Sequence, residues 1–231
     1  MSLFHSDAFL AFRSRDFSLL SVNQLCLILA IMIQEVVIAY SIYQLTQNPL
    51  SLGMIALIEL LPFICFSLIS GDWADRYNRQ KIVQWSFSCS TLIPLLFIVL
   101  FSQYQQQHIQ QNTLLCGIYS LIFCLGILRG IYSPSFNSLR PFLTPESAYS
   151  NAATWTALIW QIGGILAPLC AGLLLGQLGL EKTLFIVFFL CCVGSICLFG
   201  LSPRDFPSTH KQHLSKSLKE AYLFIFKHPL M

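Results

Sequence analysis

Gly71-Asp72-Trp73-Ala74-Asp75-Arg76-Tyr77-Asn78-Arg79-Gln80-Lys81 places five charged residues between two long apolar runs. The run before it, Leu50 to Gly71, holds one charge, Glu59, and the region after it, Ile82 to Leu128, holds none. About 20 apolar residues in a helix match the hydrocarbon core of a bilayer, so each run is long enough to cross one. Arg and Lys gathered between two such runs mark the cytoplasmic side, where positive loops are retained. The stretch therefore reads as a short cytoplasmic loop joining two spanning helices, with Trp73, Tyr77 and Trp85 as interfacial aromatics.

Working outward, the whole chain has the same character. Of 231 residues, 55% are hydrophobic and 10% charged, against about 25% charged in a soluble domain. The mean hydropathy is +0.68. These values exclude an ordinary water-soluble enzyme, and the length leaves room for about six spans with loops and a tail. Turn residues and polar clusters divide the spans. Span one covers 17–45 and stops at Thr46-Gln47-Asn48-Pro49; span two covers 50–71. The uncharged region splits at a polar middle, 102–112, into spans three and four, and span four continues through Arg129 and Gly130 towards Pro134. Arg140 to Ser150 forms the next connection, followed by span five over 151–178 and span six over 183–201. Residues 1–16 are expected to be a cytoplasmic tail, 17–201 the transmembrane domain and 202–231 a basic cytoplasmic tail. In that tail Leu214, Leu218 and Ile225 share a helical face opposite Lys216, Glu220 and Lys227, the pattern of a membrane-surface helix.

Lys and Arg are sorted strongly. The tails, the 71–81 loop and the fourth connection carry eleven, the opposite side carries Lys182 alone, and Arg129 lies within a span. The positive-inside rule puts both termini in the cytoplasm of an inner, plasma-membrane protein, as an even number of spans requires. Arg13 to Asp16 precede an apolar run that reaches Tyr43 without a small-residue cleavage site, so the first span is expected to remain as an anchor. A net charge of +3 is too small and dispersed for a nucleic-acid partner. The nine cysteines show no two-residue gap of a zinc or redox motif and read as small apolar fillers. The five histidines lie in tails or loops, and no H-E-x-x-H, G-x-S-x-G, Walker A or G-x-G-x-x-G occurs. No enzyme, cofactor or metal site is expected.

In the opening stretch Gly71 permits close helix approach, and the Asp75 carboxylate suits a neighbouring helix N-terminus. The spacing of Gly71, Asp75, Arg76 and Arg79 resembles the signature loop G-x-x-x-D-R-x-G-R-[RK] of the major facilitator superfamily, with Asn78 where that loop has Gly. Asn is the next-best residue for a left-handed turn. Gly126 to Pro145 (GILRGIYSPSFNSLRPFLTP) is similar to the fourth helix and following loop of a branch that includes bacterial siderophore and macrolide exporters. Gly163-Gly164-Ile165-Leu166-Ala167-Pro168-Leu169-Cys170-Ala171-Gly172 resembles the antiporter motif G-P-x-x-G-G, with Ala167 and Ala171 replacing glycines. The resemblance implies an all-α fold in which six transmembrane helices, as two inverted three-helix repeats, form the N-terminal half of a twelve-helix bundle. It further implies proton-driven export of a small amphipathic molecule such as a drug or siderophore. The chain would act with a second six-helix half, from a separate chain or by homodimerising. The alternative is a truncated or split gene product without transport activity, at most a membrane-assembly partner. His228-Pro229-Leu230-Met231 is expected to stand at the entrance to a seventh helix.

Three ionisable residues fall inside spans: Glu35, Glu59 and Arg129. A charge at the bilayer centre costs at least about 2.5–3.5 kcal/mol on insertion scales, so such groups face a cavity or each other. Glu35 reads either as a proton- or cation-binding carboxylate or as a carboxyl packed between helices. Glu59, three residues before Pro62, reads as a coupling residue or as a partner for backbone groups freed by the proline. Arg129 reads as the partner of a carboxylate or an anionic substrate, or as a snorkelling cation.

Overall fold

The computed structural model describes residues 9–203, apart from the side chains of Asp75 and Arg76. The expected surface helix of the tail and the His-Pro end lie outside the described residues. Among the described residues six α-helices run in order: α1 (Arg15–Thr46), α2 (Leu50–Arg76), α3 (Arg79–Ser90), α4 (Leu92–Gln105), α5 (Gln111–Leu143) and α6 (Tyr149–Phe199). No strand occurs among the described residues. α3 and α4 together make one apolar segment, Arg79–Gln105, so among the described residues five segments are long and apolar enough to cross a bilayer.

Local chemistry explains the boundaries. Ser14 caps α1 by accepting from the Phe17 N–H, and Gln47 ends it in a left-handed conformation (φ 50°) with its N–H on the Tyr43 carbonyl. Asn48-Pro49 then opens α2. α3 and α4 part at Thr91, because Pro94 has no N–H to offer the Ser90 carbonyl. Asn78 was expected in a left-handed turn, but it is extended (φ −64°, ψ 108°) and caps α3 by accepting from the Gln80 and Lys81 N–H groups. An N-cap role suits Asn as well as a left-handed turn does, and here capping prevails. The fourth connection is also shorter than expected. α5 continues through Arg140 to Leu143, because Leu139 and Leu143 are buried and hold the last turn against the core.

α6 contains one non-helical residue, Gly179 (φ 78°, ψ 178°), in a region of backbone space open essentially to glycine alone. Gly163 packs on Ile28 of α1, and the Gly194 carbonyl accepts from Asn23 of α1 at 3.0 Å. Asn23 and Ile28 lie about 7.5 Å apart along α1, whereas Gly163 and Gly194 would lie about 46 Å apart in a straight helix. The segment therefore folds back at Gly179, where the Thr183 hydroxyl bonds the Gly179 carbonyl at 2.7 Å and starts the second arm.

α1 packs against both arms of α6, α2 against α5, and α3 against α5. Lipid offers apolar side chains no less than a protein core does, so close approach and internal hydrogen bonds must hold the bundle. Asn23 does this at the centre: fully buried, it donates to Gly194 and accepts from the Tyr132 hydroxyl at 2.9 Å, tying α1, α5 and α6 together. Gln84 donates to the Leu198 carbonyl at 2.9 Å and Gln80 to that of Leu201 at 3.3 Å, which anchors α3 to the second arm. At the cytoplasmic end expected from charge, Asp16 accepts from both the N–H and the hydroxyl of Ser202. α2 buries only Pro62, Ser70 and Ala74 among its described residues and leaves a long apolar face open.

Candidate functional site

The three intramembrane charges come together. Arg129 Nη1 donates to Glu35 Oε1 at 2.8 Å and also to Glu59 Oε1. The neighbours of Arg129 on α5 make this possible. A Cβ on Gly126 would collide with the Glu59 carbonyl oxygen, and one on Gly130 would lie 2.8 Å from that of Phe63. These glycines, four residues apart, let α2 approach α5 until the Glu59 carboxylate reaches the guanidinium. Glu59 thus serves Arg129.

The trio thus brings one guanidinium and two carboxyl groups from three helices into direct contact. The Glu35 side chain is 46% accessible, against 18% for Glu59 and 20% for Arg129. Glu35 and Arg129 line two cavities. One, about 370 Å³, runs between α1, α3, α5 and α6 past Phe63, Tyr132 and Trp160. The other, about 460 Å³, opens along α2 beside Glu59, Leu52 and Leu60.

The signature stretch lies at the end of α2 and the start of α3. Arg79 Nε donates to the Ala74 carbonyl at 2.8 Å, and its guanidinium sits 5.4 Å from the Phe142 ring centre, linking the loop to the end of α5. Asp75 and Arg76 belong to the last turn of α2. A Cβ on Gly71 would meet nothing within 4 Å, so no close helix approach occurs there among the described residues.

The span-five motif separates into two faces. Gly163 abuts Ile28, and Ala167 and Ala171 are fully buried; this i, i+4, i+8 stripe packs against the bundle. Gly164 and Gly172 face open space, and Pro168, inside the same arm, is exposed. All nine cysteines are free. No cluster of three or more His, Cys, Asp or Glu with metal-binding geometry exists among the described residues.

Four polar residues were not singled out in the sequence: Asn23, Gln24, Tyr132 and Arg140. Arg140 was read only as a loop charge, yet it lines the first cavity and donates to Gln24 at 3.2 Å. Its eleven-residue spacing from Arg129, three helical turns, was the available signal.

Comparison with known proteins agrees with this architecture. The family model described as Major Facilitator Superfamily matches residues 20–231. The chain is 24% identical over 204 residues to an MFS-type transporter of Bacillus subtilis, YfiS, covering 84% of this chain and 45% of that protein. It is 28% identical over 133 residues to the multi-drug resistance efflux pump PmrA of Streptococcus pneumoniae, covering 58% of the chain and 30% of the pump. It is 25% identical over 128 residues to the staphyloferrin A transporter of Staphylococcus aureus, with 55% and 31% covered. The chain thus spans less than half the length of these curated relatives.

Proposed function

Since the chain belongs to the Major Facilitator Superfamily, a family of membrane transporters, we propose that it forms the N-terminal half of a secondary active exporter of small amphipathic molecules. In this reading α6 crosses the membrane twice, with Gly179 at the turn. Residues 17–201 then make six crossings in two inverted three-helix repeats, between cytoplasmic segments 1–16 and 202–231, in the plasma membrane. The efflux and siderophore relatives support the substrate class. A second six-helix half, from another chain or a second copy, supplies the other cavity wall and packs on the open faces of α2 and the first arm of α6.

The observation that carries the proposal is Arg129 held between Glu35 and Glu59 where two cavities meet. Protonation of Glu35 releases one ion-pair arm of Arg129, and substrate and proton exchange places as the bundle changes its open side. The Gly71, Asp75, Arg76, Arg79 loop acts as a latch between α2 and α3 during that change. The stripe through Gly163, with Gly164, Pro168 and Gly172 on its open side, provides the tight helix packing that an antiporter needs.

The test is uptake and efflux of a macrolide and of a siderophore in a host stripped of its own pumps, expressing the chain together with a second half. Efflux that rises with the inward proton gradient, and loses that dependence in Glu35→Gln, supports the reading. Asp75→Asn is expected to slow turnover while sparing substrate binding. Proton-independent efflux unchanged in Glu35→Gln overturns the coupling site. No efflux from a chain that reaches the membrane overturns the exporter and favours the role of an assembly partner.

A further inference from the structure

We infer that Arg140 is the anion-binding pole of the first cavity, and that the substrates it selects are amphipathic carboxylates held head-first on Arg140 with their apolar bodies pointing towards Glu35. The inference deepens the exporter reading and rests on it in taking this cavity as the substrate site.

Two polar pairs bound the cavity. Arg129 of α5 meets Glu35 of α1, and Arg140 of α5 meets Gln24 of α1. Eleven residues separate the members of each pair on each helix, so two antiparallel helices carry both pairs on facing sides about 16 Å apart. Between them Leu27, Ile28 and Ile31 of α1 face Tyr132 and Phe136 of α5. The slot is thus apolar along its length and polar at its ends, which is the usual form of a small-molecule site.

The ends differ in charge. At the Arg129 end one cation meets two carboxylates, so that end is neutral or negative and disfavours an anion. At the other end Arg140 has no carboxylate within ion-pair distance among the described residues; its hydrogen bond there goes to the neutral Gln24 amide. Its guanidinium lies 5.1 Å from the Phe136 ring centre, and its Nε is buried without an acceptor. An arginine that merely decorates the inner membrane surface keeps its head in water. This one is stacked, partly desolvated and still has donors to give. A buried, unsatisfied N–H costs about 1–3 kcal/mol, which a ligand oxygen recovers on binding. The planar fork of guanidinium donors suits a carboxylate, taken side-on. Asn137, one turn before Arg140 on the same face, adds a neutral polar group beside the head.

The test uses the purified full chain in phosphatidylcholine nanodiscs, with empty discs subtracted for lipid partitioning. The probes are tritiated 4-phenylbutyrate and its neutral and cationic counterparts, 4-phenylbutyramide and 4-phenylbutylamine. The carboxylate is expected to bind at least tenfold more tightly than the amide. Arg140→Gln should erase that preference without weakening the amine, and Arg140→Lys should keep part of it; both variants are first checked for wild-type elution and melting. Equal binding of all three probes, or an undiminished preference in a folded Arg140→Gln protein, overturns the inference alone. Absence of saturable binding by every probe overturns the cavity as a substrate site and the inference with it. Discs containing phosphatidylglycerol separate the sources of the anion: unchanged phenylbutyrate binding supports a soluble substrate, and its loss assigns Arg140 to a lipid headgroup and overturns the proposal.

Discussion

At the residue scale, the arrangement of one arginine and two carboxylates makes an unusual demand on mutational energetics. Replacing either glutamate by glutamine leaves Arg129 with one ionised partner, a neutral one-to-one pair. Replacing both leaves a cation with only amide oxygens in a membrane-embedded site. Breaking a buried pair by removing a partner costs about 3–5 kcal/mol, and the partial accessibility of these side chains lowers the figure here. Glu35→Gln and Glu59→Gln are therefore each expected to unfold near the wild-type temperature. The double variant should lose about 2 kcal/mol more than the sum of the singles. Thermal unfolding in detergent of the four proteins measures this directly; additive losses would mean that the two carboxylates do not share Arg129. The charges themselves were legible in the sequence, because an ionisable residue inside a span demands a partner. That Arg129 could partner a carboxylate was legible too, but not that both glutamates share it, because Glu35, Glu59 and Arg129 lie on three helices and close approach at Gly126 and Gly130 brings α2 to α5.

At the element scale, small residues decide which helices touch, and their helical phase decides which of them matter. Gly126 leaves no room for a methyl group beside the Glu59 backbone, whereas Gly164 has nothing within 4 Å. Gly126→Ala is expected to destabilise the chain by about 1–3 kcal/mol through overpacking. Gly164→Ala, in the same chain without a second half, should be neutral or stabilising by up to about 1 kcal/mol from helix propensity. Urea titration of the two variants in mixed micelles checks the pair, and similar losses for both would contradict the packing. The motif in this arm could be read as tight packing from sequence, but not its face. Gly163, Ala167 and Ala171 fall on the bundle side, while Gly164 and Gly172, one residue further round, face outward. The two alanines that depart from the glycine pattern are thus buried together with Gly163. Asn78 repeats the lesson: its residue type announced a chain reversal, yet both a left-handed turn and an N-cap favour Asn, and only the backbone distinguishes them. Arg140 was masked by the proline and polar residues that follow it, which suggested a loop where burial of Leu139 and Leu143 extends the helix.

At the scale of the whole molecule, the count of crossings turns on one residue. The 51 residues of α6 would extend about 76 Å if straight, more than twice the thickness of a hydrocarbon core. A hairpin at Gly179 resolves the mismatch and brings both arms onto α1 through Gly163 and Gly194. The sequence already carried this division, since Lys182 is the lone cation of its side and Gly176 to Glu181 interrupts the apolar run. The hairpin makes a prediction about sidedness that a single crossing does not. Reporter fusions after Ser147 and after Ser202 should then read the same side of the membrane, because two crossings lie between them. Fusions after Gln107 and after Lys182 should read the other side, by the distribution of Lys and Arg. Fluorescent-protein fusions are therefore expected to glow at Asn78, Ser147 and Ser202, and alkaline phosphatase to be active at Gln107 and Lys182 in a bacterial host. Opposite readings at Ser147 and Ser202 would make α6 a single crossing and put the second arm's contacts with α1 out of reach. Gly179→Ala tests the same hinge from the side of energy: its positive φ with extended ψ costs a residue with a side chain about 1–3 kcal/mol. The variant should therefore retain the reporter pattern while melting earlier, and an unchanged melting temperature would mean that the turn does not require glycine.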